Sequence, residues 1–117
     1  MRVPRRLSMT QRNEFEAVRK NGESVGCRHF VMATLADPAI EHLKVGLITS
    51  RRSGNAVTRN KIRRRLRSIL SKHGDKLESG RYLVIVARHR AGEASFQQLE
   101  ADWLRLAKRL GILQDHS

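Results

Sequence analysis

Residues 51–70 read RRSGNAVTRNKIRRRLRSIL, and this stretch decides how the rest of the chain is interpreted. Ser53-Gly54-Asn55 is typical of a turn, and Asn55 is a suitable N-cap for a helix. The helix is predicted to run to about Lys72, because Gly74 just beyond it favours a helix end. One apolar stripe with spacings of three and four residues is expected to face a core, and it consists of Ile62, Leu66, Ile69 and Leu70.

The polar positions of this helix form two basic edges beside the apolar stripe. At about 100° per residue, Asn60, Arg63, Arg64 and Arg67 share one exposed edge, and Lys61 and Arg65 lie on the other flank. Guanidinium groups match phosphate in a bidentate geometry, so these edges are predicted to bind a nucleic acid backbone. The predicted contacts are Arg51, Arg52, Arg59, Asn60, Lys61, Arg63, Arg64, Arg65 and Arg67.

The charge of the whole chain supports a polyanionic partner. Its 117 residues include 24 Lys+Arg and 11 Asp+Glu, which gives a formal net charge of +13 at pH 7. Residues 51–72 contain no acidic residue, and such a block repels itself unless a partner neutralises it. A solvated helix face would serve solubility better with charges of both signs. At 39% hydrophobic residues the chain can still bury a core, so disorder is not expected.

Other elements follow from periodicity and capping signals. A helix is predicted over 7–22, where Ser8 and Gln11 make a capping box and Leu7 a hydrophobic staple. Strands are predicted over 24–36, 43–50 and 82–87, the last (YLVIVA) covered on both faces because it is apolar throughout. A final helix is predicted from the capping box of Ser95 and Gln98 to Leu110. Helices fall around and between strands, which predicts a single α/β domain over 1–117 with a short basic arm over 1–7.

No catalytic or metal-binding constellation is evident, so neither is predicted. The five histidines show no metal-ligand spacing, and the single Cys27 argues against a disulfide framework and a cysteine-based zinc site. Asp37 and Glu41 flank a turn and can hold a divalent ion, as carboxylates at many turns can. One cysteine, with no apolar run near the ~20 residues of a membrane span, favours a cytoplasmic protein.

Charge alone leaves the choice between DNA and RNA open. Asn60 is the only good candidate for reading base edges in a groove. Aromatic residues make up 4% of the chain, and Phe15 and Phe30 are the candidates for stacking on single-stranded bases, although a core position suits each of them.

The same stretch resembles the signature of the protein subunit of bacterial ribonuclease P. The resemblance rests on Arg59-Asn60-Lys61 followed by further arginines, and it extends to Glu14-Phe15 and to the strand that ends at Arg88. It implies an α+β sandwich with three helices, a small mixed sheet of about four strands, and a left-handed βαβ crossover around the basic helix. The residues alone predict three strands, so one short strand would be missing from that count.

The resemblance implies a non-catalytic subunit of a ribonucleoprotein endoribonuclease that removes the 5′ leader of precursor tRNA. Mg²⁺ held mainly by the RNA subunit and the substrate would activate the hydrolytic water. The protein would contact the ribonuclease P RNA through the basic helix and bind the leader in a cleft between the first helix and the sheet. No DNA or membrane partner is implied.

The cleft residues implied in this chain are Phe15, Arg19 and Phe30. Arg19 and Ala33 stand where relatives often carry aromatic residues, so leader stacking is expected to depend less on rings here. Two other functions remain: a ribosomal or RNA-chaperone protein that binds RNA structurally, and a DNA-binding regulator. The last is disfavoured, because no helix-turn-helix pair precedes the basic helix.

Overall fold

The computed structural model describes Met9 and residues 11–114. Three helices and four strands make up the fold of these described residues, which confirms the α+β class implied by the resemblance. The predicted arm 1–7 lies outside the described residues. In chain order the elements are α1 (Arg12–Asn21), β1 (Glu23–Gly26), β2 (Phe30–Ala36), β3 (Leu43–Ile48), α2 (Ala56–His73), β4 (Arg81–Ala87) and α3 (Phe96–Leu110).

The four strands form one mixed sheet in the order β1-β2-β4-β3. Strand β4 pairs antiparallel with β2 and parallel with β3, and Ile85 is opposite Met32 on one side and Leu47 on the other. Four consecutive residues of β4, Tyr82–Ile85, are buried, which confirms that this strand is covered on both faces. Because β3 and β4 are parallel, α2 forms a crossover between them; the left hand of that crossover stays a prediction.

The predicted strand 24–36 is in fact a hairpin of β1 and β2. Residues 27–29 form its turn, and the backbone N–H of Cys27 donates to the carbonyl of Phe30 at 2.9 Å. No non-glycine residue in the described chain has a positive φ, so this turn does not need the Asn-Gly or Gly-Gly pair that usually marks a hairpin in a sequence. The three-strand count was wrong for this reason, and the four strands implied by the resemblance are confirmed.

Helix α1 begins later than predicted. Its N-cap is Gln11, whose backbone N–H donates to Glu14 Oε1 at 3.1 Å. The proposed cap at Ser8 and staple at Leu7 lie outside the described residues. The other caps are as predicted: Asn55 accepts a hydrogen bond from the N–H of Thr58 at 2.9 Å, and Ser95 forms its box with Gln98.

The main core lies between one face of the sheet and helices α2 and α3. The predicted apolar stripe of α2 is buried there, with Ile62, Leu66, Ile69 and Leu70 each at most 1% exposed. Trp103 of α3 is fully buried and stacks on His73 of α2, with ring centroids 5.8 Å apart. A smaller apolar cluster on the opposite face joins Val18 of α1 to Tyr82 and Val84 of β4. The sheet therefore has two helices on one face and one on the other.

None of the helices in the described part of the chain is both long enough and apolar enough to cross a membrane.

The packing of α2 on α3 generates a pH-dependent prediction at Glu100. Its carboxylate lies 2.9 Å from Lys72 Nζ and 3.0 Å from His73 Nε2, and these hydrogen bonds lower its pKa. A lowered carboxyl pKa stabilises the fold above the ordinary value of 4.5, and this contribution is lost as the pH falls through the folded-state value. We expect Glu100→Gln to melt at a lower temperature than the unchanged chain at neutral pH, with the difference shrinking below about pH 4.5.

Thermal denaturation across pH ~3 to ~7 measures this difference. Glu93→Gln, which changes an exposed carboxylate, is the matched control. A deficit of Glu100→Gln that stays constant down to the lowest pH would contradict the assignment.

Candidate nucleic-acid interface

The basic residues predicted from the sequence lie on α2 and on the turn that precedes it. We call this set the basic face. Arg51 and Arg52 belong to a single 3₁₀ turn, Arg51–Ser53, and the remainder lie in the first three turns of α2. The basic face consists of Arg51, Arg52, Arg59, Asn60, Lys61, Arg63, Arg64, Arg65 and Arg67.

The exposure of these side chains broadly follows the predicted helical edges. Asn60, Arg64 and Arg67 are exposed, and Arg63 is half-buried and donates to the Asn60 side chain at 2.7 Å. Arg65 differs, because its guanidinium donates to the backbone carbonyl of Ala94 at 2.5 Å. Arg65 thus also holds α2 against the segment before α3, and fewer of its donors are left for a ligand.

No carboxylate of the described residues forms an ion pair with the basic face. The carboxylates pair with other cations instead, in Lys44–Glu14, Lys72–Glu100, Arg81–Glu78, Arg105–Asp102 and Arg12–Glu16. The first turn of α2 also has no acidic residue, so the positive end of the helix dipole adds to the field. The positive charge of this face is therefore uncompensated within the described protein.

Contacts of Gly54 and Ser53, just before α2, fix where this helix starts. Gly54 has φ +132°, and a Cβ there would lie 2.8 Å from the Thr58 side chain. The buried Ser53 hydroxyl donates to the carbonyl of Ala87 at the end of β4, at 3.3 Å. These contacts tie the arginines at the start of α2 to the central strand, which gives them a rigid base.

A second feature, the α1 cleft, lies between α1 and the opposite face of the sheet. Its volume is about 650 Å³. The floor is largely apolar, and two arginines stand at the α1 side. It is lined by Arg12, Phe15, Glu16, Val18, Arg19, Gly22, Ser24, Val31, Ala33, Ile48, Val84 and Val86.

Helix α1 is held over the sheet by a polar contact and an aromatic one. Lys44 Nζ of β3 lies 3.0 Å from Glu14 Oε2, and this hydrogen bond with its charge attraction raises the pKa of Lys44. The ring of Phe15 lies over Gly46, where a Cβ would come within 2.5 Å of the ring. Only glycine leaves this space, so Gly46 sets the position of Phe15.

Phe15 connects the α1 cleft to the basic face around the β3 edge. A smaller depression of about 190 Å³ is lined by Phe15, Gly46 and Leu47 together with Arg67 of α2. The backbone N–H of Met9 covers part of this edge by donating to the carbonyl of Val45 at 2.8 Å. Phe15 therefore borders both the α1 cleft and the depression that contains Arg67.

The structure brings two of the three predicted cleft residues to the α1 cleft. Phe15 and Arg19 line it, and Ala33 forms part of its floor. The prediction for Phe30 is wrong: its side chain is 0% exposed and belongs to the main core. Alternation along β2 explains the difference, since Phe30 and Met32 point to α2 and α3 whereas Val31 and Ala33 point to α1.

Sequence reasoning missed most of the cleft floor. Val31, Val84 and Val86 were treated as strand residues of a buried sheet, without assignment to a face. The alternation of side chains along a strand could have found them, because the even-numbered residues of β4 share the face of Val84. Alternation assigns these residues to the cleft only after one residue on that face has been located there.

Comparison with known proteins identifies the family. The family described as Ribonuclease P matches residues 3–111. The chain belongs to the ribonuclease P protein family. A ribonuclease P protein component of Bacillus pumilus is 32% identical over 112 residues, covering 96% of this chain and 94% of the relative. One from Bacillus mycoides is 35% identical over 100 residues, covering 86% of this chain and 87% of the relative.

Solved structures agree with this assignment of family and fold. The ribonuclease P protein of Staphylococcus aureus is 27% identical and has a TM-score of 0.85, with 92% of this chain and 98% of that chain covered. The ribonuclease P protein of Thermotoga maritima, at 24% identity and a TM-score of 0.76, shares the fold. The resemblance drawn from the basic stretch is thereby confirmed.

The contact of Phe15 with Gly46 yields a prediction about this ribonuclease P family protein. Gly46→Ala is expected to destabilise it by about 1–3 kcal/mol, because the new methyl group overlaps the Phe15 ring. Gly26→Ala is the control, since its new Cβ meets the flexible end of Arg88 at 3.0 Å and Val31 at an ordinary contact distance of 3.5 Å. Chemical denaturation of both variants gives the comparison, and equal stabilities would show that Phe15 moves aside without cost.

Proposed function

We propose that this chain binds the RNA subunit of ribonuclease P through the basic face, and the 5′ leader of precursor tRNA in the α1 cleft. The RNA-based endonuclease then removes the leader and makes the mature 5′ end of the tRNA. The observation that carries the proposal is the uncompensated charge of the basic face among the described residues. We expect this to take place in the cytoplasm.

The basic face suits a folded RNA backbone. Phosphates accept paired N–H bonds from guanidinium groups, and binding releases the counterions condensed on the RNA. The exposed arginines lie on a straight helix with a rise of about 1.5 Å per residue, so they can contact several phosphates along one groove. Phosphate contacts of this kind fix the position of an RNA but do not distinguish one base sequence from another.

The α1 cleft suits unpaired nucleotides. Its valine and alanine floor offers apolar surface to bases, and Phe15 offers one ring for stacking. Arg12 is paired with Glu16 at 3.3 Å, whereas Arg19 has no carboxylate partner among the described residues. Arg19 is thus the cleft cation that can stack on a base or bind a leader phosphate. With one ring in the cleft, the leader is expected to be bound with little sequence preference.

Mg²⁺ is proposed to be held mainly by the RNA subunit and the substrate. The basic face does not fit Mg²⁺, which requires oxygen ligands, because its charged groups are guanidinium and ammonium groups. The role proposed for the protein is to orient RNA and leader and to lower the repulsion between them. The hydrolysis itself is assigned to the RNA subunit.

Reconstitution tests the function as a whole. Adding the purified chain to a ribonuclease P RNA at low Mg²⁺ is expected to accelerate cleavage of precursor tRNA, because its cations replace part of the Mg²⁺ that screens the RNA phosphates. The rate of leader release is measured with and without the protein. RNA binding with an unchanged cleavage rate would favour a structural RNA-binding protein instead.

Individual arginines of the basic face should contribute measurably to RNA affinity. Arg64→Ala and Arg67→Ala are each expected to weaken binding by about 1 kcal/mol or more, roughly fivefold in Kd, because each removes a charged hydrogen bond to phosphate. Arg109→Ala, an equally charged change at an exposed position of α3, is the control. If all three variants lose the same affinity, only net charge matters and the basic face has no special role.

We expect Phe15 to contribute to the affinity for the 5′ leader and not to the affinity for the rest of the precursor tRNA. Phe15→Leu keeps an apolar side chain over Gly46 but removes the ring, so affinity for leader-bearing precursor tRNA should fall by about 1–3 kcal/mol. Binding of leaderless tRNA to the holoenzyme is measured in parallel and should be unchanged. An equal loss with both RNAs would assign Phe15 to packing alone.

A further inference from the structure

Three side chains that commonly bind metal ions meet at the tip of the β1–β2 hairpin. Cys27 and His29 lie in its turn, and Asp102 projects from α3. The Cys27 Sγ, a ring nitrogen of His29 and a carboxylate oxygen of Asp102 all lie within 4.8 Å of one another. Within the part of the chain that the structure describes, no other such group of three occurs.

The spacing is close to that of a tetrahedral metal site. Ligand atoms about 2.0–2.3 Å from zinc lie roughly 3.3–3.8 Å from each other. His29 Nδ1 and Asp102 Oδ2 are 3.1 Å apart, so these two need almost no movement. The thiol lies within 4.8 Å of both atoms, so it has to approach by at most about 1 Å to reach ligand spacing.

The surroundings of the cluster hold its ligands in place. Arg105 donates to Asp102 Oδ1 at 3.0 Å, and Asp102 Oδ2 is directed at His29. The Cys27 thiol lies 3.4 Å from the carbonyl of Phe30. The side chains of His29 and Asp102 are 13% and 22% exposed, so the cluster is sheltered but open to a water as fourth ligand.

We propose that Cys27, His29 and Asp102 form a binding site for Zn²⁺ or a metal ion of similar softness. On binding, the Cys27 thiol releases its proton to solvent, and its thiolate bonds to the metal. In the bound state the neutral His29 ring carries its proton on Nε2 and its Nδ1 lone pair binds the metal; a proton held on Nδ1 in the metal-free protein is exchanged with solvent on binding. A thiolate and an imidazole select Zn²⁺ over Mg²⁺.

The site would clip an edge strand to a helix. Among the described residues, strand β1 pairs with β2 alone, and its other support is packing against α3. A metal ion bound by the turn and by α3 would fix that end. The site is on the α3 side of the sheet, away from the α1 cleft, and it does not depend on the proposed function.

Cobalt(II) titration of the full-length, metal-free protein in a reducing buffer tests the site. We expect one equivalent to give a thiolate-to-cobalt charge-transfer band, which Zn²⁺ abolishes and excess Mg²⁺ leaves unchanged. Loss of supporting residues around metal ligands weakens binding by ~10–100-fold, so loss of a ligand should cost about 100-fold in Cys27→Ser and at least about tenfold in Asp102→Asn. His89→Gln, at an exposed histidine after β4, should bind like the unchanged chain.

Each of the following outcomes would contradict the proposed metal site. Absence of the charge-transfer band shows that Cys27 is not a ligand. Full affinity in Asp102→Asn, His29→Gln or Cys27→Ser shows that the replaced residue is not a ligand, which contradicts the three-residue site. Circular dichroism of the metal-free variants verifies that they are folded, and Zn²⁺ at a fixed concentration should raise the melting temperature of the unchanged chain more than that of Asp102→Asn.

Discussion

Mutual repulsion among the cations of α2 is the constraint on which the rest of the structure depends. A helix with this charge density and no acidic neighbour does not gain stability from its own surface. It is stabilised by the opposite side, where four aliphatic residues, Ile62, Leu66, Ile69 and Leu70, are almost completely buried against the sheet and α3. Burial of one stripe thus keeps the other side charged and exposed, and an RNA that neutralises that side relieves the repulsion.

The fold has helices on both faces of its small sheet because both faces of the central strand are apolar. The central strand β4 supplies residues to two cores, with Leu83 and Ile85 facing α2 and α3, and Val84 facing α1. Because α1 covers its face only in part, an apolar cleft remains beside it. The β3 edge joins that cleft to the basic face through Phe15 and Arg67. The basic face of α2 and the apolar α1 cleft are therefore neighbours around one edge of the sheet.

Local signals in the sequence were sufficient for most elements and insufficient for their relations in space. Capping residues and periodicity located α2, α3 and β4, because these signals depend on residues within a few positions of each other. The hairpin turn at 27–29 was missed because it needs no positive φ. Phe30 was assigned to the wrong face, since the face of a strand is fixed by what packs on it. His29 and Asp102 are separated by 73 residues, so only the folded chain brings them together.

The salt dependence of RNA binding tests the central claim most directly. If the basic face meets six to eight phosphates, the affinity of the purified chain for ribonuclease P RNA should fall roughly a thousand-fold or more between about 50 and 200 mM monovalent salt. A linear plot of log K against log salt with a steep negative slope is the predicted result. An affinity that hardly changes over this range would contradict the account, because binding would then not depend on the uncompensated charge of α2.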